Sequence, residues 1–390
     1  MPTGPEELAE QVLAALADAG LVAGIAPAEP FATTRAELHR RRDAGLHGGM
    51  AFTYRNPERS TDPSRIVPGA RSLVVGALGY LRTAPRPDAG AVPGRVARYA
   101  WSDFYAELRR CLDCGAALLR DGGHQAVVVA DDNALVDREA AYRAGLGWYG
   151  RNANLLVRGH GSWVVLGTIV TDAALPASAP AAGGCGTCTR CIPACPTGAI
   201  VAPGVVDARR CLAWLLQAGG VFPTEFRDAL GDRIYGCDDC QEACPPNQAA
   251  VRGAGGGGGD ARRGHTSRSP DGAPPEPGRR PTVDVLDLLD DDDAAVLAAA
   301  GRWYVPERDA RYLRRNALVV LGNRADPGDE RALAAVRRCL RHRDPLVRAH
   351  AVWAAARLGR PELADELETT EADAMVRAEL RGRHAVRPRA

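Results

Sequence analysis

The chain has 390 residues, 46% of them hydrophobic and 25% charged, and its formal net charge is only +1. This composition can bury large cores and predicts two or three domains, while the near-neutral charge gives no overall sign of a polyanionic partner. The N-terminus lacks an apolar signal segment, and no stretch approaches the roughly 18 uncharged apolar residues of a membrane span. We therefore expect a cytoplasmic protein with no membrane association.

The first half of the chain alternates between helical and strand patterns. Apolar residues at helical spacing predict a first helix that starts at Pro5 and ends near Gly20. Short buried strands are predicted at 72–80, 125–130 and 162–170, with helices at 99–119 and 137–144. This alternation predicts an α/β sandwich domain over residues 1–180.

Three aspartates follow the predicted strand at 125–130, namely Asp131, Asp132 and Asp137. Open α/β sheets place ligand-contacting groups at such strand ends. A carboxylate there could act as a general acid if burial raised its pKa. The residues alone favour helix capping, because an acidic residue at a helix start is stabilised by the helix dipole.

The sequence Gly145-Leu-Gly-Trp-Tyr-Gly150 matches the dinucleotide fingerprint, but it follows a helical stretch instead of a strand. We therefore reject a Rossmann site. The glycines predict either a tight bend that a large planar ligand can approach or a simple turn.

Residues 181–251 are defined by their cysteines. Eight of them fall within about 60 residues, in the order and spacing of a two-cluster ferredoxin, and each 4Fe-4S cluster needs four thiolates. A predicted helix at 207–217 holds the cysteine that lies between the two runs. The eight are Cys185, Cys188, Cys191 and Cys195, then Cys211, then Cys237, Cys240 and Cys244.

In two-cluster ferredoxins the fourth cysteine of each run binds the other cluster. The ligands assigned to the first cluster are Cys185, Cys188, Cys191 and Cys244. The ligands assigned to the second cluster are Cys195, Cys211, Cys237 and Cys240. Paired zinc sites are the alternative, because Cys-x2-Cys pairs also build zinc ribbons. A disulfide framework is disfavoured in a long chain without a secretory signal.

The C-terminal part begins with a segment, 252–281, whose composition of Gly, Pro, Arg and Ser predicts a disordered linker. Beyond it, over 282–390, the stretches Leu313–Leu318 and Val347–Val352 align 34 residues apart, each followed by a Leu-Gly pair. This predicts an all-α HEAT-like repeat domain. Generic helices rich in alanine and leucine, with arginine on the solvent face, are the alternative.

With this order assembled, the chain resembles the epoxyqueuosine reductases, the cobalamin-dependent enzymes of the tRNA queuosine pathway. The resemblance covers about residues 5–250 and, less specifically, the repeats after 300. The stretches that carry it are 131–138, 144–155, Gly161-Ser-Trp163, Cys195-Pro-Thr-Gly-Ala199 and 233–241.

The resemblance implies that the N-terminal domain binds cobalamin in a base-off form without a histidine ligand. The absence of an Asp-x-His-x-x-Gly motif is consistent with this form. By the same resemblance Asp131 falls at the family's proton-donor position, so we expect it to be the catalytic acid. The cobalamin contacts implied are Arg55, Tyr99, Asn154, Gln217 and Asp238.

The function implied is the reduction of epoxyqueuosine to queuosine at the wobble position of tRNA, the last step of queuosine biosynthesis. An external low-potential donor would reduce the clusters, the clusters would reduce cobalamin, and the reduced cofactor would attack an epoxide carbon. Asp131 would protonate the departing oxygen, and further reduction with loss of water would complete the reaction. The anticodon stem-loop would be the partner of a monomer, with arginines of the repeats contacting its backbone.

A reductive dehalogenase-like enzyme acting on small organohalides is the main alternative. Such enzymes share the cobalamin domain and two clusters, but they are usually exported and lack a HEAT-like tail, and this chain shows no twin-arginine leader. A two-cluster electron carrier with a helical interaction domain would leave the N-terminal 180 residues without a role.

Overall fold

In this computed structural model the described residues are 4–52, 54–82, 92–255 and 280–388. They form two compact units, and neither unit is one continuous stretch. The first unit draws on Met1–Thr83, Ser102–Arg209 and Asp238–Pro277, and the second on Ala84–Trp101, Arg210–Cys237 and Gly278–Ala390. Within the described ranges, none of the helices has the length and apolar character that crossing a membrane requires.

The first unit contains most of the strands, numbered here in chain order through the whole protein. Its strands are β1 (Val22–Pro27), β2 (Ser72–Gly79), β4 (Ala126–Ala130), β5 (Gly147–Tyr149), β6 (Leu155–Val157), β7 (Val164–Thr171), β8 (Ile200–Ala202) and β9 (Val205–Val206). Its helices are α1 (Pro5–Asp18), α2 (Ala32–Asp43), α3 (Pro57–Ser60), α4 (Phe104–Asp121), α5 (Asp137–Arg143), α8 (Asp239–Glu242) and α9 (Pro245–Gly255).

A four-stranded antiparallel sheet in the order β1-β2-β7-β4 is the centre of this unit. Leu73, Val75 and Ala77 of β2 join one core cluster with the alanines of α5. The side-chain position of Gly76 is on the opposite face of the sheet, where Leu112 of α4 packs against it. Because helices cover both faces, the predicted α/β sandwich is present, with an antiparallel sheet.

The predicted elements of this unit agree with the structure to within a few residues. The first helix is α1, the three predicted strands are β2, β4 and β7, and the two predicted helices are α4 and α5. Strand β1 was not predicted, nor was the antiparallel hairpin formed by β5 and β6.

The second unit combines a small sheet with a helical array. Its elements are β3 (Pro93–Val96), α6 (Leu212–Leu215), α7 (Thr224–Leu230), β10 (Arg233–Tyr235), β11 (Thr282–Asp284), α10 (Val285–Asp290), α11 (Asp293–Ala300), α12 (Arg311–Arg324), α13 (Glu330–Leu340), α14 (Pro345–Arg357), α15 (Asp365–Thr370) and α16 (Ala374–Gly382). In the sheet, β3 is central, parallel to β10 and antiparallel to β11.

The two aligned stretches of the sequence lie in α12 and α14, the central helices of the array. These helices pack against each other, and α13 and α16 pack against α14. Most residues of α12 and α14 are buried, because each helix is covered on several sides. This arrangement is that of stacked helical repeats.

The helix predicted over 207–217 is wrong. A 3-10 turn at Ala208–Arg210 is followed by the short helix α6, and Cys211 between them is extended, with φ −77° and ψ 116°. An extended residue cannot continue a helix, so Cys211 caps the start of α6 instead of lying within a helix.

The ends of the predicted linker at 252–281 are also ordered. Helix α9 continues to Gly255, the Arg280 amide donates to the Trp101 carbonyl over 3.3 Å, and β11 begins at Thr282. Residues 256–279 lie outside the described residues. The predicted four-part division stays a prediction, and the compact units group 210–237 with the repeats.

Candidate metal centres and active site

The four cysteines assigned to the first cluster all belong to the first unit. Cys191 and Cys244 are buried, and the Cys188 amide donates to the Cys185 carbonyl over 2.9 Å. Burial raises the pKa of the Cys244 thiol, the Asn247 amide opposes this, and the charges of Cys185, Cys191 and Cys188 raise the pKa further. The four sulfurs therefore share one neighbourhood, in which bound iron would hold them as thiolates.

The cysteines assigned to the second cluster are divided between the units. Cys195 and Cys240 belong to the first unit, whereas Cys211 and Cys237 belong to the second. The Cys195 sulfur accepts a hydrogen bond from the Ala199 amide over 3.2 Å, and hydrogen bonds to ligand sulfurs tune cluster potentials. Among the described residues, no three His, Cys, Asp or Glu side chains are grouped so that they could hold a single metal ion.

The turn between β5 and β6 contacts both cysteine runs of the first unit. Arg151 Nη2 donates to the Gly186 carbonyl over 2.8 Å, and Asn152 Nδ2 donates to the Cys240 carbonyl over 3.3 Å. Asn152 was not among the predicted site residues, although it lies within the 144–155 signature stretch. These two side chains fix the backbone that presents the thiolates.

Main-chain atoms of the protein itself pack closely against glycines in the stretch Gly145–Gly150. Gly145 has φ +74°, and a Cβ there would lie 2.1 Å from the Ala179 carbonyl oxygen. A Cβ at Gly147 would lie 2.1 Å from the Leu156 carbonyl oxygen across the hairpin. The turn interpretation fits this geometry, and the predicted approach of a planar ligand at these two glycines does not.

Asp131 directly follows β4 and is exposed, with φ +52° in the left-handed region that few residues other than glycine adopt. The loop behind it is fixed, since Asp132 Oδ1 accepts from the Ala134 amide over 2.8 Å and the Val136 amide donates to the Ser60 carbonyl over 2.9 Å. Because the sheet is antiparallel, the parallel-sheet argument for this position does not apply. The fixed loop itself presents the carboxylate.

Asp137 is the first residue of α5, and no side chain caps that helix through a hydrogen bond. Burial of its carboxyl group raises the pKa of Asp137 well above its ordinary value, and the charge of Asp131 raises it further. Arg138 acts in the opposite direction. The carboxyl beside Asp131 therefore binds a proton more readily than an ordinary aspartate does.

In the second unit, two of the expected cobalamin contacts meet each other. Gln217 Nε2 donates to the Tyr99 hydroxyl over 3.4 Å, and the Tyr99 and Tyr235 rings lie 6.2 Å apart. Gly236 has φ +70°, and a Cβ there would lie 2.5 Å from the Ala97 Cβ and 3.2 Å from the Tyr99 ring. Glycine before Cys237 is thus required for the main chain to pass Ala97 and Tyr99.

Asp238 is held in a buried polar network of the first unit. Gln241 Nε2 donates to Asp238 Oδ1 over 3.1 Å, while Gln241 Oε1 accepts from the Ser162 hydroxyl over 2.8 Å. The Ser162 amide in turn donates to Asn247 Oδ1 over 2.7 Å. Gln241 and Asn247 were not predicted as site residues. The sequence did mark their positions, because Gln241 ends the Asp-Asp-Cys-Gln stretch and Asn247 belongs to the residue pair that follows Cys244-Pro245.

The remaining predicted contacts, Arg55 and Asn154, belong to the first unit. Arg55 is exposed just before α3, and the Asn154 carbonyl accepts from the Gly150 amide over 2.8 Å. The structure thus places Arg55, Asn154, Asp238 and Asp131 in one unit, and Tyr99 and Gln217 in the other.

Two family matches agree with this description. Residues 184–247 match the 4Fe-4S double cluster binding domain, and residues 307–381 match the HEAT repeats. The prediction of two 4Fe-4S clusters instead of zinc sites is confirmed, as is the prediction of a repeat domain.

Comparisons over the whole chain all give similarity to epoxyqueuosine reductases. Over 370 residues the chain is 30% identical to the epoxyqueuosine reductase of Bacillus cereus, covering 93% of this chain and 92% of that protein. A crystal structure of an epoxyqueuosine reductase with an epoxyqueuosine-modified tRNA-Tyr stem loop has a TM-score of 0.82, 28% identity and coverage of 97% and 98% of the two chains. The Bacillus subtilis epoxyqueuosine reductase, solved with its catalytic aspartate loop swung out of the active site, gives 0.81 and 29% at the same coverage.

Proposed function

The chain belongs to the epoxyqueuosine reductase family of oxidoreductases, and we propose that it reduces epoxyqueuosine to queuosine at the wobble position of tRNA, the last step of queuosine biosynthesis. It would do so with cobalamin reduced by two 4Fe-4S clusters. The observation that carries the electron-transfer part is the match of residues 184–247, with their eight cysteines, to the 4Fe-4S double cluster binding domain. Iron-sulfur clusters held by such thiolates transfer electrons one at a time.

Arg55, Tyr99, Asn154, Gln217 and Asp238 would hold the cobalamin. Their guanidinium, hydroxyl and amide groups suit the amide side arms and the phosphate of a corrinoid, and the Asp238 carboxylate suits the N–H groups of the side arms. When bound, the reduced cofactor supplies the nucleophile that opens the epoxide, and the protein supplies position, electrons and a proton. The Tyr99–Gln217 hydrogen bond orients two of these groups together.

Asp131 would donate the proton to the departing epoxide oxygen. Asp131 is exposed on a loop held by hydrogen bonds at Asp132 and Val136, and the related Bacillus subtilis enzyme was solved with its catalytic aspartate loop swung out of the active site. Asp137 lies beside it, and burial raises the pKa of that carboxyl well above its ordinary value, so it binds a proton more readily than an ordinary aspartate.

The tRNA substrate is supported by the related enzyme solved with a modified stem loop. From Arg302 to the end the chain has 19 arginines against 13 acidic residues, a net charge of +6 that suits phosphate contacts. The reaction would take place in the cytoplasm, on a monomer fed by an external low-potential donor.

The direct test is to incubate the anaerobically reconstituted protein, cob(II)alamin and a low-potential reductant with epoxyqueuosine-containing tRNA. The tRNA is then digested and its nucleosides are analysed by mass spectrometry. Loss of one oxygen gives queuosine, and Asp131→Ala should abolish this conversion while cobalamin remains bound.

Asp132→Asn is the matched control, because this neighbouring carboxylate keeps its turn hydrogen bond as an amide. It should retain most of the activity. No conversion by the wild-type protein, with both clusters and the corrinoid bound, would contradict the tRNA function and direct attention to organohalide substrates.

A further inference from the structure

The segment Leu215–Phe222 leads from the end of α6 towards α7 and carries Gln217. Helix α6 starts directly after Cys211, and the Leu215 amide donates to the Cys211 carbonyl over 2.9 Å. A helix end leaves carbonyl oxygens without donors from the helix itself. The position of Gln217 and Cys211 therefore depends on what satisfies those oxygens.

Arg315 of α12 binds four main-chain carbonyls of the segment, two at the end of α6 and two in the turn after it. Its Nη1 donates to the Ala218 and Gly220 carbonyls, each over 2.7 Å, and its Nη2 donates to the Leu215 and Leu216 carbonyls over 3.1 and 3.3 Å. The guanidinium is fully buried. One planar fork thus holds the whole turn that follows α6.

Asn316 and His350 continue this contact from equivalent positions of successive repeats, since Leu313–Leu318 aligns with Val347–Val352. Asn316 Nδ2 donates to the Leu216 carbonyl over 2.9 Å, and His350 Nε2 accepts from the Phe222 amide over 3.2 Å. Both side chains are fully buried. The same repeat position therefore holds the beginning and the end of one segment.

The arginines two positions before Asn316 and His350 behave differently. Arg314 and Arg348, again equivalent in the two repeats, pair with Asp293 and Glu371 inside the repeat domain. Arg315 has no carboxylate among its partners in the described chain; it contacts main-chain carbonyls, the Asn316 amide oxygen and the Phe222 and Tyr312 rings. Burying a charge without a counter-ion costs desolvation free energy, so Arg315 contributes little to stability. This indicates that it serves to position the segment it binds.

We propose that Arg315, Asn316 and His350, here called the repeat clamp, are positioning residues that hold Leu215–Phe222 so that Gln217 meets the cobalamin and Cys211 meets the second cluster. This inference rests on the proposed function in assigning those two ligands. It gives the HEAT-like repeats a role in cofactor geometry that is separate from contact with tRNA.

The test compares Arg315→Met with Arg314→Met in the full-length protein carrying both clusters. The two arginines are buried neighbours on α12, but only Arg315 reaches the segment. Three quantities are measured: amide hydrogen exchange over 215–222, the dissociation constant for cob(II)alamin by visible absorption, and the rate at which a chelator removes iron.

We expect Arg315→Met to speed exchange over 215–222 and iron release and to weaken cob(II)alamin binding on the order of 10-fold, as loss of an outer-shell partner does. Arg315→Lys should restore part of the binding. Arg314→Met should lower the melting temperature while binding stays within about 2-fold of the wild type.

Equal binding by Arg315→Met and the wild type, with unchanged exchange over 215–222, would overturn the proposal. If Arg315→Met does not fold, Asn316→Ala is compared with Asn323→Ala, whose amide reaches the Arg227 and Gly231 carbonyls instead of the segment. If the wild type binds no cob(II)alamin, the proposed cofactor fails, and exchange and iron release alone decide on the clamp.

Discussion

The side-chain amide of Gln217 donates a hydrogen bond to the Tyr99 hydroxyl over 3.4 Å, across 118 residues of sequence. Gln217 Nε2 also donates to the Ala213 carbonyl over 3.0 Å, so the amide is tied to α6 as well as to the tyrosine. Two groups that share a hydrogen bond should not contribute independently to ligand binding.

This relationship predicts coupled losses of cobalamin affinity. Gln217→Ala and Tyr99→Phe should each weaken cob(II)alamin binding, by about 10-fold for the first, and the double variant should lose less than the product of the two. Visible-absorption titration of the four proteins measures the coupling. Gln248→Ala, a change of a half-buried glutamine in α9, is the control and should bind normally. Strictly multiplicative losses would show that the two side chains act separately.

The raised pKa of Asp137 predicts an unusual dependence of the unfolding free energy on pH. Its raised pKa means that the folded state keeps a proton that the unfolded chain releases above about pH 4, so this group makes the unfolding free energy fall as pH rises towards the folded-state pKa. Asp137→Asn should therefore be more stable than the wild type at pH 7, and the gain should vanish near pH 4. Urea unfolding across this range measures it, and Asp132→Asn should show no such gain.

The cluster assignment predicts which iron is lost when a ligand is removed. Cys244→Ser should reduce the iron content from about eight to about four per chain and abolish the signal of one cluster, whereas Cys195→Ser should abolish the other. Iron analysis and electron paramagnetic resonance distinguish the two. Cys114→Ser, an exposed cysteine of α4, should change neither. Loss of the same cluster in both variants would contradict the crossed assignment.

The ion pair between Arg227 and Glu379 predicts a large loss of stability on substitution. Arg227 is fully buried, its Nη2 lies 2.6 Å from Glu379 Oε1, and its guanidinium lies over the Trp353 ring. Arg227→Met should lower the unfolding free energy by about 3–5 kcal/mol, because it strands a partly buried carboxylate. Urea unfolding measures this change.

The exposed pair of Arg341 and Glu366, 3.2 Å apart, is the comparison for this measurement. Arg341→Met should lower the unfolding free energy by less than about 1 kcal/mol, because solvent screens an exposed pair. Equal effects of the two substitutions would show that burial of Arg227 does not strengthen its pair.

Long, periodic elements could be predicted from the sequence, whereas short ones could not. The apolar spacing that predicted α1 is local, but β1 has only six residues, several of them small, and is defined by its pairing with β2. The helix predicted across Cys211 failed because hydrophobic periodicity continues there while the backbone is extended. Secondary-structure patterns do not report such a break.

The candidate site shows the same division. The cysteine spacing was enough to predict two clusters, because the ligands themselves form the motif. The role of Arg315 could not be predicted, since an arginine in a helical pattern indicates a solvent-facing residue, yet this one is fully buried. Its partners are main-chain carbonyls, which carry no residue signature and are brought together only by the tertiary fold.

The interleaving of the two units affects how the protein can fold during its synthesis. The Val92 amide beside β3 bonds to Asp284 at the end of β11, 192 residues further along the chain. At ribosomal rates of 5–20 residues per second, one edge of β3 stays unpaired for about 10–40 s until β11 has been synthesised. Truncation before residue 284 leaves that edge permanently open to other chains, so shortened forms should aggregate where the full chain does not.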